Sequence, residues 1–295
     1  MRAEFVAGGV PFGEGPVWCP DGTLVVTSVA AGALFRVPPG RAGTGDAERF
    51  AETGGGANGA ALCADGSILV TQNGGFDVGT TGMIDGAPPV TSSPATPGLQ
   101  LATPAGAVTY LLDDGFHAPN DLCIAPDGTV YFTDPGHYPP PEPEYGRVFA
   151  FERDGTVRLV ADRFLYCNGI ALDRDGSLIV VEGRGLQRLL PAGGREWVIE
   201  KLGRGGGDGF CLDADGRFYV ASTIEHGVRV VDPDGTVVDF LEIDGDGLTT
   251  NCCFGGDDLR TLYATDAIPG TVVAWECMPT AGLPLPAWPG PVPAR

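Results

Sequence analysis

The sequence predicts an all-β fold, a single six-bladed β-propeller with a metal site on its axis. Three observations predict it. A pattern recurs six times, in which a polar residue stands seven positions before an acidic turn and a short apolar run follows the turn. Gly is abundant (47 of 295 residues) and the apolar segments between glycines are short and rich in β-branched residues, as expected for many strands joined by tight turns. The acidic turns at Asp21, Asp65, Asp127, Asp175, Asp215 and Asp258 are spaced as blades of four strands require, about 40–50 residues with one longer interval.

Each unit can be read in order. Glu14 leads the first, and LVVTS from Leu24 follows its turn. Asn58 leads the second, with ILVTQ from Ile68 and then a long connection from Gly74 to about Gly98. Asn120 leads the third, with VYFTD from Val130 and a proline-rich connection, GHYPPPEPEY, from Gly136 to Tyr145. Asn168 leads the fourth, which is the clearest. GIALD from Gly169 is its inner strand and LIVVE from Leu178 its second. LQRLL from Leu186 is the third, the turn is Ala192-Gly193-Gly194-Arg195, and WVIEK from Trp197 is the fourth. Asp-Gly between alternating apolar runs is a strong hairpin signal. Asp208 leads the fifth unit, with FYVAS from Phe218, and Asn251 the sixth, with LYATD from Leu262. The sixth unit lacks a fourth strand: after TVVAWEC from Thr271 comes a proline-rich tail, residues 279–295. The N-terminal AEFVAG is expected to supply that strand, closing the ring and removing the exposed sheet edges. The whole chain, 1–295, is thus expected to be one domain.

If the inner strand of each blade runs along the channel, the six leading residues lie at its mouth and the Asp-Gly turns at its far end. The second strand returns to the mouth, so the two long connections should overhang it.

Composition narrows the function. Net charge is −20, with 38 acidic and 18 basic residues. Such a surface repels phosphate backbones and anionic lipid, which argues against nucleic acid and membranes as partners. No apolar run is long enough to cross a bilayer, and the first residues lack a signal-peptide core. Eight cysteines without C-x-x-C spacing read as small buried hydrophobes in a reducing compartment, so a cytoplasmic location is expected. The expected partner is a small-molecule substrate, and the expected state a monomer or small homo-oligomer.

The ring of Glu14, Asn58, Asn120, Asn168, Asp208 and Asn251 offers oxygen donors alone. Carboxylate and amide oxygens suit a hard cation, and two carboxylates match one divalent charge. Without an ion, two acids facing each other in a channel would be costly. The histidines (His117, His137, His226) show no metal spacing, and no G-x-S-x-G or Walker-type motif occurs.

EGPVW from Glu14, PNDL from Pro119, CNGIAL from Cys167, GDGFCLDADG from Gly207 and TTNCCFGGDDLRTLYATD from Thr249 resemble the SMP-30/gluconolactonase/luciferin-regenerating-enzyme family over about residues 10 to 285. The resemblance implies a six-bladed propeller with one axial divalent cation, calcium in the first place, with magnesium, manganese and zinc as alternatives. It implies Glu14, Asn168 and Asp208 as metal ligands, with Asn120 as ligand or substrate contact. It implies a hydrolase that opens a sugar or related small lactone. Asp208 is then the base, with Glu14 the next candidate, and Asn120, Asn58, Asn73, Asp134, Tyr138 and Asn251 are placed to contact substrate. Asp134 reads equally well as a strand-end turn residue, and Tyr138 as a packed loop aromatic. Sugar-lactonase relatives often carry an arginine just before the asparagine matching Asn120. Here that stretch is Phe116-His117-Ala118-Pro119, which admits a less hydroxylated substrate. Two other readings share the scaffold: a phosphotriester or other ester hydrolase, and a non-catalytic calcium-binding propeller.

Overall fold

In the computed structural model, which describes residues 1–75, 86–136, 146–191 and 193–291, six four-stranded antiparallel sheets form the blades and no helix occurs among the described residues. The inner strands are Gly13–Trp18, Ala57–Leu62, Leu122–Ile124, Cys167–Leu172, Phe210–Leu212 and Thr249–Gly255. Each pairs with the apolar run that follows its acidic turn. Leu24–Ser28, Ile68–Gln72, Val130–Asp134, Leu178–Glu182, Phe218–Ser222 and Thr261–Asp266 are those second strands.

The sixth blade closes as expected. Glu4–Ala7 forms its outermost strand, antiparallel to Thr271–Trp275, with Glu4 opposite Ala274 and Phe5 opposite Val273. The fourth blade differs from the sequence reading at one turn. Leu190 N–H donates to Gly194 O (3.1 Å) and Gly193 N–H to Leu190 O (2.9 Å), so the reversal is complete by Gly194. Arg195 already pairs with Leu189, and the strand runs Arg195–Ile199 rather than from Trp197.

The core lies between blades. Val17, Val25 and Leu34 of the first pack on Ala57, Ile68 and Val70 of the second. Leu69 and Leu99 meet Leu122, Phe132 and Phe149 of the third, and Tyr219 and Val228 of the fifth meet Phe254, Leu262 and Trp275 of the sixth. Burying apolar area between neighbours is what holds such a ring together, at about 25 cal/mol per Å2 removed from water.

Residues 279–291 of the proline-rich tail cross the far end of the channel. Leu283 N–H donates to Leu212 O and Ala214 N–H to Ala281 O on the fifth blade (both 2.8 Å). Trp288 N–H donates to Leu62 O and Ala64 N–H to Trp288 O on the second (both 2.8 Å). Trp288 is buried beside Phe151, their ring centroids 6.2 Å apart. Proline suits this run because it needs few donors and its fixed φ lowers the entropy lost on ordering.

Candidate active site on the propeller axis

The six leading residues occupy equivalent places at the inner edge of the blades, and local backbone irregularity puts them there. In the first blade Glu14 is opposite Thr27 but Val17 is opposite Val25, so the inner strand carries one extra residue. The same bulge separates Ala57 from Ala60 and Cys167 from Ile170. In the third and fifth blades the leading residue precedes the regular strand, with Asn120 N–H on Thr133 O (2.9 Å) and Asp208 N–H on Ala221 O (3.0 Å). A bulge turns a side chain that would lie in the sheet toward the axis.

Two further devices fix the ring. Threonines near the end of the second strand donate across to the next blade: Thr27 to Asn58 O, Thr71 to Asn120 O, and Thr133 to Asn168 O (2.7 Å). The glycine after a leading residue allows that close approach. A Cβ on Gly15 would lie 2.4 Å from Asn58 O, and one on Gly209 2.1 Å from Asn251 Cγ.

The last residue of the second strand holds the chain entering the ring. Gln72 Oε1 accepts from Gly56 N–H (2.6 Å), Glu182 Oε1 from Leu165 N–H (2.7 Å), and Asp266 Oδ1 from Leu248 N–H (3.0 Å). Asp134 does the same for the third blade. Its fully buried carboxylate accepts from His117 N–H (3.1 Å) and Ala118 N–H (2.7 Å) and pairs with Arg147. Those contacts occupy Asp134 as the anchor of the segment leading to Asn120. Asn73 is buried beside Gly56, its Oδ1 accepting from Gly75 N–H (3.0 Å). Tyr138 lies outside the described residues.

All six ring side chains are buried, between 4 and 9% exposed. Glu14 Oε2 accepts from Asn251 Nδ2 (3.2 Å) and Gly15 N–H (3.3 Å). Asn251 Nδ2 also reaches Asp121 Oδ2 (3.4 Å), which brings a third carboxylate to the ring. Asp121 fills the position that glycine occupies after Glu14, Asn58, Asn168 and Asp208. That substitution in the repeat is the sequence signal that could have found it.

Three carboxylates share this small buried space. Burial, and then the charges of Asp208 and Asp121, push the Glu14 carboxyl well above its ordinary value. Burial and the charge of Asp121 raise Asp208 from 3.8 to about 8, against a hydrogen bond from Asn168 that lowers it. Burial raises Asp121 from 3.8 to about 7. Asn58 Oδ1 is buried without a hydrogen-bond partner among the described residues. An uncompensated cluster of anions and a spare amide oxygen fit a hard divalent cation. Among the described residues no three of His, Cys, Asp and Glu converge closely enough to hold an ion alone. Amide oxygens from the ring are needed to complete a shell.

The family model for the SMP-30/Gluconolactonase/LRE-like region matches residues 12–268. A gluconolactonase of Zymomonas mobilis subsp. mobilis is 26% identical over 296 residues, covering 88% of this chain and 77% of that protein. The pentonolactonase XacC of Haloferax volcanii is 29% identical over 271 residues, covering 86% and 81%. Among solved structures, a calcium-binding regucalcin from Agrobacterium tumefaciens superposes with a TM-score of 0.75 at 21% identity, covering 95% of this chain and 94% of that one. At that identity the likeness carries the fold alone.

Proposed function

We propose that this chain, which belongs to the SMP-30/Gluconolactonase/LRE-like family, is a hydrolase that opens the ring of a small lactone at the mouth of its axial channel. The observation that carries the reading is the buried polar ring itself, in which Asn251 bridges Glu14 and Asp121 (3.2 and 3.4 Å) and burial raises the carboxyls of Glu14, Asp121 and Asp208. The lactone-opening activity of the gluconolactonase and pentonolactonase relatives, which their names state, supports it.

Glu14, Asn168 and Asp208, with Asn120 beside them, would hold one hard divalent cation, calcium in the first place by the family resemblance, since oxygen donors suit such ions. When bound, the ion supplies a Lewis acid that polarises the ester carbonyl and offsets oxyanion charge. Asp208 takes a proton from the attacking water; as a ligand of the cation it is a weak base, which suffices because a lactone is an activated ester. Asn251 donates to Glu14 and Asp121 together and keeps both carboxylates at fixed positions. Asn58 presents an amide oxygen without a hydrogen-bond partner among the described residues, and Asn120 and Asn73 lie near the mouth to orient a hydroxyl of the substrate. Asp134 acts one step removed, by fixing the chain before Asn120. The eight free cysteines fit a reducing compartment, and we place the enzyme in the cytoplasm.

The test is hydrolysis of a panel of sugar lactones, less hydroxylated lactones and phosphotriesters, with chelator and with calcium, magnesium, manganese or zinc restored. Metal-restored turnover of a lactone is the expected result. Absence of turnover on every substrate with every ion would overturn the reading.

A further inference from the structure

Below the ring, the channel opens into a chamber of about 720 Å3 whose walls are the lower halves of the inner strands and whose floor includes Leu283, Leu285 and Pro286 of the tail. Cys211 and Cys252 stand in that wall with their sulfurs 3.7 Å apart. They come from the inner strands of the fifth and sixth blades. Two residues before each, Gly209 N–H donates to Thr250 O at 2.8 Å, so the two backbones are already side by side. Cys252 Sγ–H donates to Tyr219 O (3.1 Å), which turns its lone pairs away from that carbonyl. Both residues are otherwise buried among apolar side chains.

We propose that Cys211 and Cys252 are a redox-active dithiol, oxidised by a small hydroperoxide to a disulfide that locks the fifth and sixth blades together at the axis. A disulfide needs a sulfur separation of about 2.05 Å. Rotation about the side-chain bonds of two strands already joined by a main-chain hydrogen bond supplies the remaining approach. The chamber gives a peroxide access to both sulfurs.

The reaction balances. The Cys211 thiolate attacks the outer peroxide oxygen, the O–O bond breaks, and the leaving oxygen takes up a proton as water or an alcohol. The resulting sulfenic acid is attacked by the sulfur of Cys252, its S–O bond breaks, and water leaves with the thiol proton. Two thiols lose two electrons and two protons, and the hydroperoxide is reduced. Burial raises the Cys211 thiol well above its ordinary value, so the first step is slow at neutral pH. The consequence reaches the ring through one residue. Cys252 N–H donates to Asn251 Oδ1 (2.8 Å), and the Asn251 amide bonds Glu14 and Asp121.

The experiment begins with Cys277→Ser, which removes the one exposed thiol and leaves seven of eight cysteines. Folded protein is exposed to hydrogen peroxide, its thiols are counted, and it is digested without reductant. The expected result is loss of two thiols, a cross-link between the peptides carrying Cys211 and Cys252, and recovery of both thiols with dithiothreitol. Adding Cys252→Ser or, if that variant does not fold, Cys211→Ala should abolish the cross-link. Retention of all seven thiols, a link between any other pair, or oxidation of Cys211 to the sulfinic acid without a link would each overturn the proposal.

Discussion

Removing the cation should make this protein lose stability as pH rises, and replacing Asp208 by asparagine should relieve much of that loss. A carboxyl whose value is raised on folding binds its proton more tightly in the folded state. Its contribution is therefore harmless in acid and becomes a penalty as pH climbs from the ordinary value toward the folded one. For Asp208 that window runs from 3.8 to about 8, and for Asp121 from 3.8 to about 7. Full ionisation of Asp208 against that displacement costs on the order of 6 kcal/mol. Relaxation and water penetration reduce such penalties, and about 3 kcal/mol is the expected loss between pH 5 and 8.5. For a chain of this length that lowers the unfolding midpoint by roughly 6 °C. Net charge of −20 adds general repulsion over the same range. Asp208→Asn separates the two, since it changes net charge by one but removes a charge from the buried cluster. The assay is thermal unfolding of metal-free wild type and Asp208→Asn from pH 5 to 9. The variant should give the shallower pH dependence and the higher midpoint at pH 8.5, while added calcium should stabilise wild type more strongly. A metal-free wild type equally stable at pH 5.5 and 8.5, or a variant less stable than wild type at pH 8.5, would refute the reasoning.

At saturating metal, Asp208→Asn should lower kcat on the best lactone by about 10²–10⁴-fold, the usual cost of losing a general base. Near wild-type kcat in the fully metallated variant would pass the role to Glu14. Gly209→Ala places a methyl where Asn251 Cγ now lies 2.1 Å away. It should destabilise by about 1–3 kcal/mol and weaken calcium binding measured by titration; unchanged affinity would mean that the Asn251 bridge does not support the ring. Deleting residues 1–8 uncovers the Thr271–Trp275 edge and should favour aggregation, seen by light scattering, because an unpaired edge recruits other strands.

How much of this was legible in the sequence follows from which interactions repeat. The fold was legible because every blade solves the same problem with the same letters, an acidic turn and an apolar run, and even the missing sixth-blade strand could be assigned to residues near Phe5. The ring was legible for the same reason, since Glu14, Asn58, Asn120, Asn168, Asp208 and Asn251 share one place in the repeat. What escaped was whatever depends on a residue that breaks the repeat. Asp121 stands where four other units carry glycine, and only packing against Asn251 reveals that its carboxylate joins the ring. Asp134 reads in the sequence as either a substrate contact or a strand-end turn residue, and Gln72, Glu182 and Asp266 end their strands in the same way and, like Asp134, hold main-chain N–H groups. Reading the last letters of VYFTD, ILVTQ, LIVVE and LYATD together would have shown a shared structural duty. In a repeat fold, then, a polar residue shared by most units is legible from the repeat itself, whether it anchors the chain, as Asp134 does, or lines the axis, as Glu14 and Asp208 do. A polar residue in one unit alone, as Asp121 is, argues for the chemistry at the axis.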